Sequence, residues 1–533
     1  MTYLICLIFG ILTALPLIFG KLAFISWVCI APLFYIAGKC KKPYLHGFCF
    51  SFGYYFAAYM WFVSMYPMDY VGFTTLQSIG TLLLALIGIP LYQGAELALV
   101  PLFYSKIGRS QNKYLSAVSA SCMWVLVEWF QTKFWFGVPY ARLALTQARF
   151  TPAIQSASLF GSLFVSFLIV LSNALLSIFI SDILEKSKNP ESSDNPNNPK
   201  KKNGYLSAIL AIAIFASNSI FGAVSLTLSK NTGENTVRVA CIQGNIGSKD
   251  KSADDSAEHS LEVYKTLTEK AAENDSPDII IWPETAVPTA VLQNDRISEF
   301  ISGLAKKTGA IILTGAFNET VQNDGTAQTT NSIIAFFPSG EISDTVYSKR
   351  NLVPFGEYIP MERLLKALIP SLSDVKMFKD KLTPGDSPSI FKTELGSIGG
   401  LICFDSIYDS LSLESVQAGA ELIVISTNDS WANGSSELYQ HESHAILRAV
   451  ETGRYIARAA NTGNSSIIDS HGRITASFEP MTEGYAIGNA EFLTYRTVYS
   501  VIGDSFVLFC LCFVIAVSSA AVIKKIKKRS KSA

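Results

Sequence analysis

Apolar stretches long enough to cross a bilayer, about 20 residues each, recur through the first part of this chain and then stop. They fall at 3–20, 22–38, 44–66, 76–104, 115–134, 159–180 and 206–228, with one more at 501–523. Within hydrocarbon every backbone N–H and C=O must be satisfied inside its own segment, so such runs can only be helices. The first run has no basic residues ahead of it and leads directly into another, so it reads as a retained helix rather than a signal peptide. The chain therefore divides into a seven-helix membrane domain (1–230), a water-soluble region (231–497), and a last transmembrane helix with its tail (498–533).

The formal net charge is zero, but the charges are unevenly placed. Lys39, Lys41 and Lys42 follow the second run; Lys106, Arg109 and Lys113 the fourth; Lys186, Lys188 and Lys200 to Lys202 the sixth. The tail Lys524, Lys525, Lys527, Lys528, Arg529 follows the eighth, while Lys21 stands alone in the loops after the first and third. By the positive-inside bias, both termini are cytosolic and the soluble region lies outside the cytoplasm. These basic runs abut apolar segments, which speaks for helix anchoring and against nucleic-acid binding. The loop after the fifth run breaks the pattern with Lys133, Arg142 and Arg149, and 129–140 is rich in aromatics with Gly137 and Pro139. A re-entrant element and an ordinary aromatic belt explain it equally well. Glu96 and Glu128 are carboxylates within spans and so functional suspects, but they lie near span ends, where snorkelling or helix pairing is the plainer explanation. Residues 189–203 are rich in Pro, Asn, Ser and Lys and read as a flexible cytosolic linker.

Of nine cysteines, Cys241 and Cys403 belong to the soluble region, and the rest lie in or beside apolar runs. There is no CxxC pair and no Cys/His zinc spacing. His441 and His444 stand one helical turn apart without an evident third ligand, so no metal is expected. No nucleotide loop or cofactor motif occurs.

From residue 237 onward strands and helices alternate. Strands are expected at 237–243, 278–282, 310–317, 332–337, 344–348, 398–403 and 421–427, helices at 254–273, 293–308 and 436–459, and a closing hairpin at 464–469 and 473–478. That pattern suits an α/β domain with two sheets inside and helices outside. Glu284, Lys349 and Cys403 each fall at a strand end, where sites in such domains gather. A thiol is only a few per cent thiolate near neutral pH, and a nearby ammonium favours the charged form. Lys349 can supply that cation and later face an oxyanion; Glu284 can carry the proton. Each residue alone has a plainer reading: solvated carboxylate, surface lysine, core cysteine. Together they suit acyl transfer through a thioester.

Trp282-Pro283-Glu284, the run Lys349 to Pro360 with its Pro-Phe-Gly-Glu-Tyr core, and Ile402-Cys403-Phe404-Asp405 resemble the Glu-Lys-Cys triad of the nitrilase superfamily. Within it the chain resembles the bacterial apolipoprotein N-acyltransferase family. Gln243 to Ile246, Thr427 to Trp431, Gln440-His441, Arg448 to Arg454 and Asn461 to Gly463 also match, and the order of helices and soluble domain extends the match along nearly the whole chain. The resemblance implies a multi-pass α-helical membrane domain plus an α/β nitrilase-like αββα sandwich domain, in the bacterial cytoplasmic membrane and monomeric. It implies a ping-pong transfer from a glycerophospholipid, typically phosphatidylethanolamine, through a Cys403 thioester to the α-amine of an S-diacylglyceryl-cysteine on a lipoprotein, without cofactor. Glu284 would be the base and Lys349 the stabiliser, with Glu357 orienting the lysine. Asn428, Asp429 and Trp431 match a family loop bordering the acyl pocket, and structural support of that loop accounts for them equally well. Phe404, Asp405 and Ala432 depart from the family's usual Tyr, Glu and aromatic residue, which bears on the acyl and acceptor pockets. A membrane-tethered amidohydrolase, with water resolving the thioester, is the alternative.

Overall fold

The computed structural model describes residues 1–69, 72–108, 112–133, 137–188, 203–228, 235–247, 256–321, 325, 327–368 and 382–530. Most of the linker (189–202) and Arg109, Phe134, Trp135 and Phe136 lie outside the described residues.

Five helical stretches among the described residues are long and apolar enough to cross a membrane: Gly20–Lys39, Thr75–Ile107, Ser162–Glu185, Tyr205–Leu228 and Ser505–Lys527. The other three expected spans are the helices Thr2–Ile18, Pro43–Ala58 and Lys113–Phe130, which are shorter or less apolar. Pro43–Ala58 has 16 residues, about 24 Å at 1.5 Å per residue against a ~30 Å hydrocarbon core. The chain then tightens into a 3-10 segment, Met60–Met65. The carboxylates near span ends are hydrogen-bonded within the protein: Glu128 accepts from Trp124 Nε1 on its own helix (3.0 Å) and from Leu143 N (2.7 Å), and Glu96 from Gln131 Nε2 (3.1 Å).

Thr2–Ile18 and Pro43–Ala58 touch at backbone distance. A Cβ on Gly10 would lie 1.9 Å from Phe50 O, and one on Gly53 2.4 Å from Leu7 O. Small residues thus let two helices approach where lipid offers no hydrophobic drive of its own.

The soluble domain has thirteen strands among the described residues: β1 (Thr236–Gln243), β2 (Ile279–Ile281), β3 (Val287–Ala290), β4 (Ile311–Val321), β5 (Ala327–Phe336), β6 (Ile342–Ser348), β7 (Ile390–Lys392), β8 (Ser397–Ile402), β9 (Leu422–Thr427), β10 (Tyr455–Ala460), β11 (Ser465–Ile468), β12 (Ile474–Phe478) and β13 (Gly484–Glu491). One sheet runs β13-β1-β2-β4-β5-β6 with β3 beside β4; the other runs β12-β11-β10-β9-β8-β7. Both are mixed: β1, β2 and β4 pair in parallel, as do β8, β9 and β10.

Side chains alternate across a strand, and the two resulting sets are separately buried. Val239, Cys241, Ile279, Ile281, Ile311 and Leu313 join Leu401, Ile423, Ile425 and Ile456 in one core. Ala240, Ile242, Ile280 and Ile312 instead pack with Tyr264, Leu267, Ile301 and Leu304 of the helices Ser256–Asp275 and Asp295–Thr308. This is the helix–sheet–sheet–helix sandwich, and Cys241 is a core residue in it.

Two sequence expectations change. The helix expected over 436–459 is Glu437–Thr452; it ends at Gly453, whose φ of +64° suits a left-handed cap, and 455–460 is β10. Helical periodicity continues through Tyr455-Ile456-Ala457-Arg458, but β10 is sandwiched between β9 and β11, and pairing overrides the local preference. The sequence reading also missed β13. It pairs antiparallel with all eight residues of β1, yet Gly484 and Asn489 weaken its strand signal.

Replacing Gly10 with valine should overpack the Thr2–Ile18/Pro43–Ala58 contact and destabilise the protein by about 1–3 kcal/mol. It would read as a lowered thermal midpoint in detergent. Gly80→Val, where nothing lies within 4 Å of the added Cβ, should leave that midpoint almost unchanged.

Candidate active site

The structure brings Glu284, Lys349, Cys403 and Glu357 together from four separate segments. Lys349 follows β6, is 1% exposed, and donates from Nζ to Glu284 Oε1 and Glu357 Oε1, both at 2.8 Å. Burial alone would push its ammonium toward neutrality. Glu284 and then Glu357 outweigh that penalty, and the lysine's pKa rises well above its ordinary value. Glu357 also accepts from Val353 N through Oε2 at 2.7 Å, which closes the Pro354-Phe355-Gly356 turn around the lysine.

Glu284 is almost completely buried, three residues beyond β2. Besides Lys349 it accepts from Asn331 Nδ2 on β5 (2.7 Å) and from Asn428 N on the loop after β9 (3.0 Å). Oε1 and Oε2 are thus each aimed by fixed donors. Asn331 gave no signal in the sequence, being one polar residue among several in a strand.

Cys403 follows β8 directly and has φ +47°. Only a tight turn places a non-glycine residue there, at a cost of about 1–3 kcal/mol that the surroundings must meet. The thiol's pKa stands well above its usual value, raised by burial first and by Glu284 second, while Lys349 draws it down. At rest Cys403 is therefore a thiol beside a carboxylate that can take its proton.

Asp405 anchors the turn. Its carboxylate accepts from Tyr347 Oη (2.8 Å), Asn351 N (2.7 Å), Arg350 N (3.2 Å) and Ile402 N (3.2 Å). It therefore ties the residues after Lys349 to those around Cys403. An aspartate reaches all four donors here, so its departure from the family's glutamate leaves the triad's geometry in place. Phe404 lies edge-on to Tyr408, ring centres 5.5 Å apart.

The loop after β9 faces two ways. Asn428 meets Glu284 at one end, and its Oδ1 accepts from Asn461 Nδ2 (3.1 Å). Trp431 packs on Trp61 of the membrane part, ring centres 5.4 Å apart, and Asn433 Nδ2 donates to Ser64 O at 2.7 Å. Ala432 is fully buried and its carbonyl accepts from Ser64 Oγ at 2.9 Å. The small residue sits where the loop lies against the membrane part.

Sγ of Cys403, a carboxylate oxygen of Asp429 and a ring nitrogen of His441 lie within 4.8 Å of one another. Such donor types can hold a metal ion, but here they have protein partners: Arg458 Nη2 donates to Asp429 Oδ2 at 2.7 Å. His441 Nδ1 faces Asp429 Oδ1 at 3.0 Å and Nε2 faces Ser406 Oγ at 3.1 Å, so both ring nitrogens are engaged. His444 turns instead to Tyr140 O, 3.3 Å away, so the two histidines do not converge.

Burial lifts the Asp405 carboxyl from 3.8 to about 6, against the pull of the Asn351 amide and Lys349. A raised folded pKa means this group's contribution is full below ~4 and is lost as pH rises through about 6. Relative to Asp405→Asn, the wild type should therefore lose about 2 kcal/mol between pH 4 and 7, read from paired thermal midpoints. The asparagine variant should also transfer more slowly at every pH, since its single carbonyl cannot serve four donors.

The carbon-nitrogen hydrolase family profile matches residues 238–498, and that of the apolipoprotein N-acyltransferase N-terminal domain matches 9–175. The apolipoprotein N-acyltransferase of Geobacter metallireducens is 31% identical, covering 99% of this chain and 96% of its own length. That of Haemophilus influenzae is 28% identical over 94% and 91%. Among solved structures, Saccharomyces cerevisiae Nit3 of the nitrilase superfamily aligns with half of this chain and 93% of its own, at 18% identity and a TM-score of 0.37. With identity of that order along essentially all of both the Geobacter chain and this one, the protein belongs to the apolipoprotein N-acyltransferase family of the carbon-nitrogen hydrolase superfamily.

Proposed function

We propose that the protein transfers an acyl chain from a glycerophospholipid, with phosphatidylethanolamine as donor, to the α-amine of an N-terminal S-diacylglyceryl-cysteine on a lipoprotein. The observation that carries this reading is the loop after β9. One end of it bonds Glu284, and the other packs against Trp61 and Ser64 of the membrane part. A base so linked to membrane-embedded residues suits an acyl donor that resides in the bilayer.

In the first half-reaction Glu284 accepts the Cys403 proton and the thiolate attacks the ester carbonyl carbon. The oxyanion develops near Lys349, whose charge is fixed by its two carboxylates. The carbon–oxygen bond to glycerol breaks, Glu284 returns the proton to the leaving alkoxide, and a lysophospholipid departs from the thioester. In the second, the lipoprotein amine attacks the thioester and loses a proton to Glu284. The carbon–sulfur bond breaks, leaving an amide and a free thiol. The acyl group is already activated as an ester, so no cofactor is called for. Asn331, Asn428 and Glu357 hold the charged pair in place, and Trp431 borders the acyl path. The charge pattern of the loops supports a topology with the soluble domain on the extracytoplasmic side and both termini in the cytosol.

The test is mass spectrometry of a synthetic S-diacylglyceryl-cysteine peptide with a free amine, incubated with the full-length protein and phosphatidylethanolamine. A gain of one acyl chain on that amine is expected. An unmodified peptide with free fatty acid would mean hydrolysis and would overturn the transferase reading. Cys403→Ala and Glu284→Gln should each cost at least about a thousandfold in rate, the scale of removing a nucleophile or its base. Lys349→Ala should fold but lose transfer.

A further inference from the structure

The nucleophile's left-handed turn is held by a chain of buried charges that the reaction scheme does not use. Arg458, at the centre of β10, is 0% exposed and donates from Nη2 to Asp429 Oδ2 at 2.7 Å. Asp429 Oδ1 accepts from Thr427 Oγ1 at 3.0 Å and faces His441 Nδ1, also at 3.0 Å. On the other side of the ring, Nε2 lies 3.2 Å from Cys403 O and 3.1 Å from Ser406 Oγ.

Hydrogen-bond bookkeeping sets the state of the ring. Ser406 Oγ donates its one hydrogen to Cys403 O at 2.7 Å, so toward His441 it can only accept. Cys403 O can only accept as well. Nε2 must therefore carry a hydrogen. Nδ1 lies 3.0 Å from Asp429 Oδ1, which only accepts, and 3.3 Å from Arg458 Nη2, which only donates; the shorter contact is the carboxylate's, and Arg458 Nη2 already donates to Asp429 Oδ2 at 2.7 Å, so the hydrogen is assigned to Nδ1. Both nitrogens protonated is an imidazolium.

The groups around the ring fit that state. Asp429 faces it from the loop after β9, and Glu437 from its own helix, with Oε1 3.6 Å from Nδ1. Arg458 opposes them from β10, with Nη2 3.3 Å from Nδ1. Cys403 and Ser406 face it from the turn after β8, and Tyr140 of the membrane part packs tilted against it while donating to Glu437. His444, one turn along the helix, is held below its ordinary value by burial and then Arg448, so it stays neutral. Burial works against a charged His441, but Asp429 outweighs it and the ring's pKa is raised from 6.5.

We propose that His441 is a positioning residue for the nucleophile: an imidazolium, held by Asp429, that clamps the Cys403 carbonyl and sets a positive charge beside its sulfur. The inference rests on Cys403 being the nucleophile. It explains why an arginine occupies the middle of a buried strand: Asp429 needs a second cation to remain charged while it holds the ring. It also separates two tasks, with Lys349 and Glu284 acting on the reacting atoms and His441 acting through the backbone of the residue that carries them.

The test uses the full-length protein in detergent without phospholipid or acceptor, so failure of acyl transfer and failure of the clamp are distinguishable. Iodoacetamide alkylation of Cys403 is followed against pH by mass spectrometry in the wild type and in His441→Gln, which keeps an N–H donor but no charge. The glutamine variant should keep its thermal midpoint. Its thiol titration should move up by about one unit, since an opposite charge within ~4–6 Å holds a group ionised by that much or more. At pH 7 its alkylation should then be about tenfold slower, the rate equivalent of one unit. An unchanged titration in a folded His441→Gln would overturn the proposal. A second measurement needs no variant: nitrogen-15 NMR of histidine-labelled wild type at pH 7.5 should show one ring with both nitrogens protonated. If every ring is neutral at that pH, the proposal is overturned.

Discussion

One lysine buried between two carboxylates governs the arrangement of the catalytic domain. An unpaired ammonium cannot remain charged in a protein interior at tolerable cost, so Lys349 requires both Glu284 and Glu357 within hydrogen-bond reach. Each partner then constrains a different segment. Glu284 fixes the end of β2 to β5 and to the loop after β9, through Asn331 and Asn428. Glu357 closes the turn after Val353. Breaking the cluster would leave an uncompensated buried charge, so all of these segments are held to one arrangement.

The membrane part is joined to the catalytic domain by the same kind of interaction. Arg142 donates to Asp409 at 2.8 Å and to Ser162 Oγ at 2.6 Å, Arg149 to Glu442 at 2.5 Å, and Tyr140 to Glu437. Ser162 N, at the start of a spanning helix, donates to Glu451 Oε1 at 2.7 Å. Charged pairs at a buried interface contribute little net stability, but they penalise every misplacement. The three residues that broke the loop-charge pattern include two of these anchors, Arg142 and Arg149. Their charge is spent on the catalytic domain, which explains why they stand on the extracytoplasmic side of the proposed topology against the positive-inside bias.

The proposed triad stood out in the sequence because acyl-transfer chemistry of the proposed kind calls for particular residue types, and strand ends are marked by the switch from an apolar run to a polar turn. Glu284, Lys349 and Cys403 each follow such a switch. The outer helices and most strands were legible from periodicity for the same reason. Arg458 was not, because residues 455–460 satisfy a helical pattern as well as a strand and a buried arginine has no sequence signature. Asn331 was hidden in the same way. Asp405 and Ala432 read as departures from a family pattern, and the geometry shows how each fits where it stands.

The amino-acid sequence by itself determined which segments are apolar enough to be membrane helices, most of the strands, and which side chains could carry acyl-transfer chemistry, because hydropathy and residue type are local properties. The tertiary structure alone decided which helices reach span length, where the helix before β10 stops, and that β13 completes the first sheet. It alone decided the neighbours of each charge. Glu284 lies 65 residues from Lys349, Cys403 38 from His441 and Asp429 29 from Arg458, and a charge's ionisation depends on what surrounds it rather than on its place in the chain.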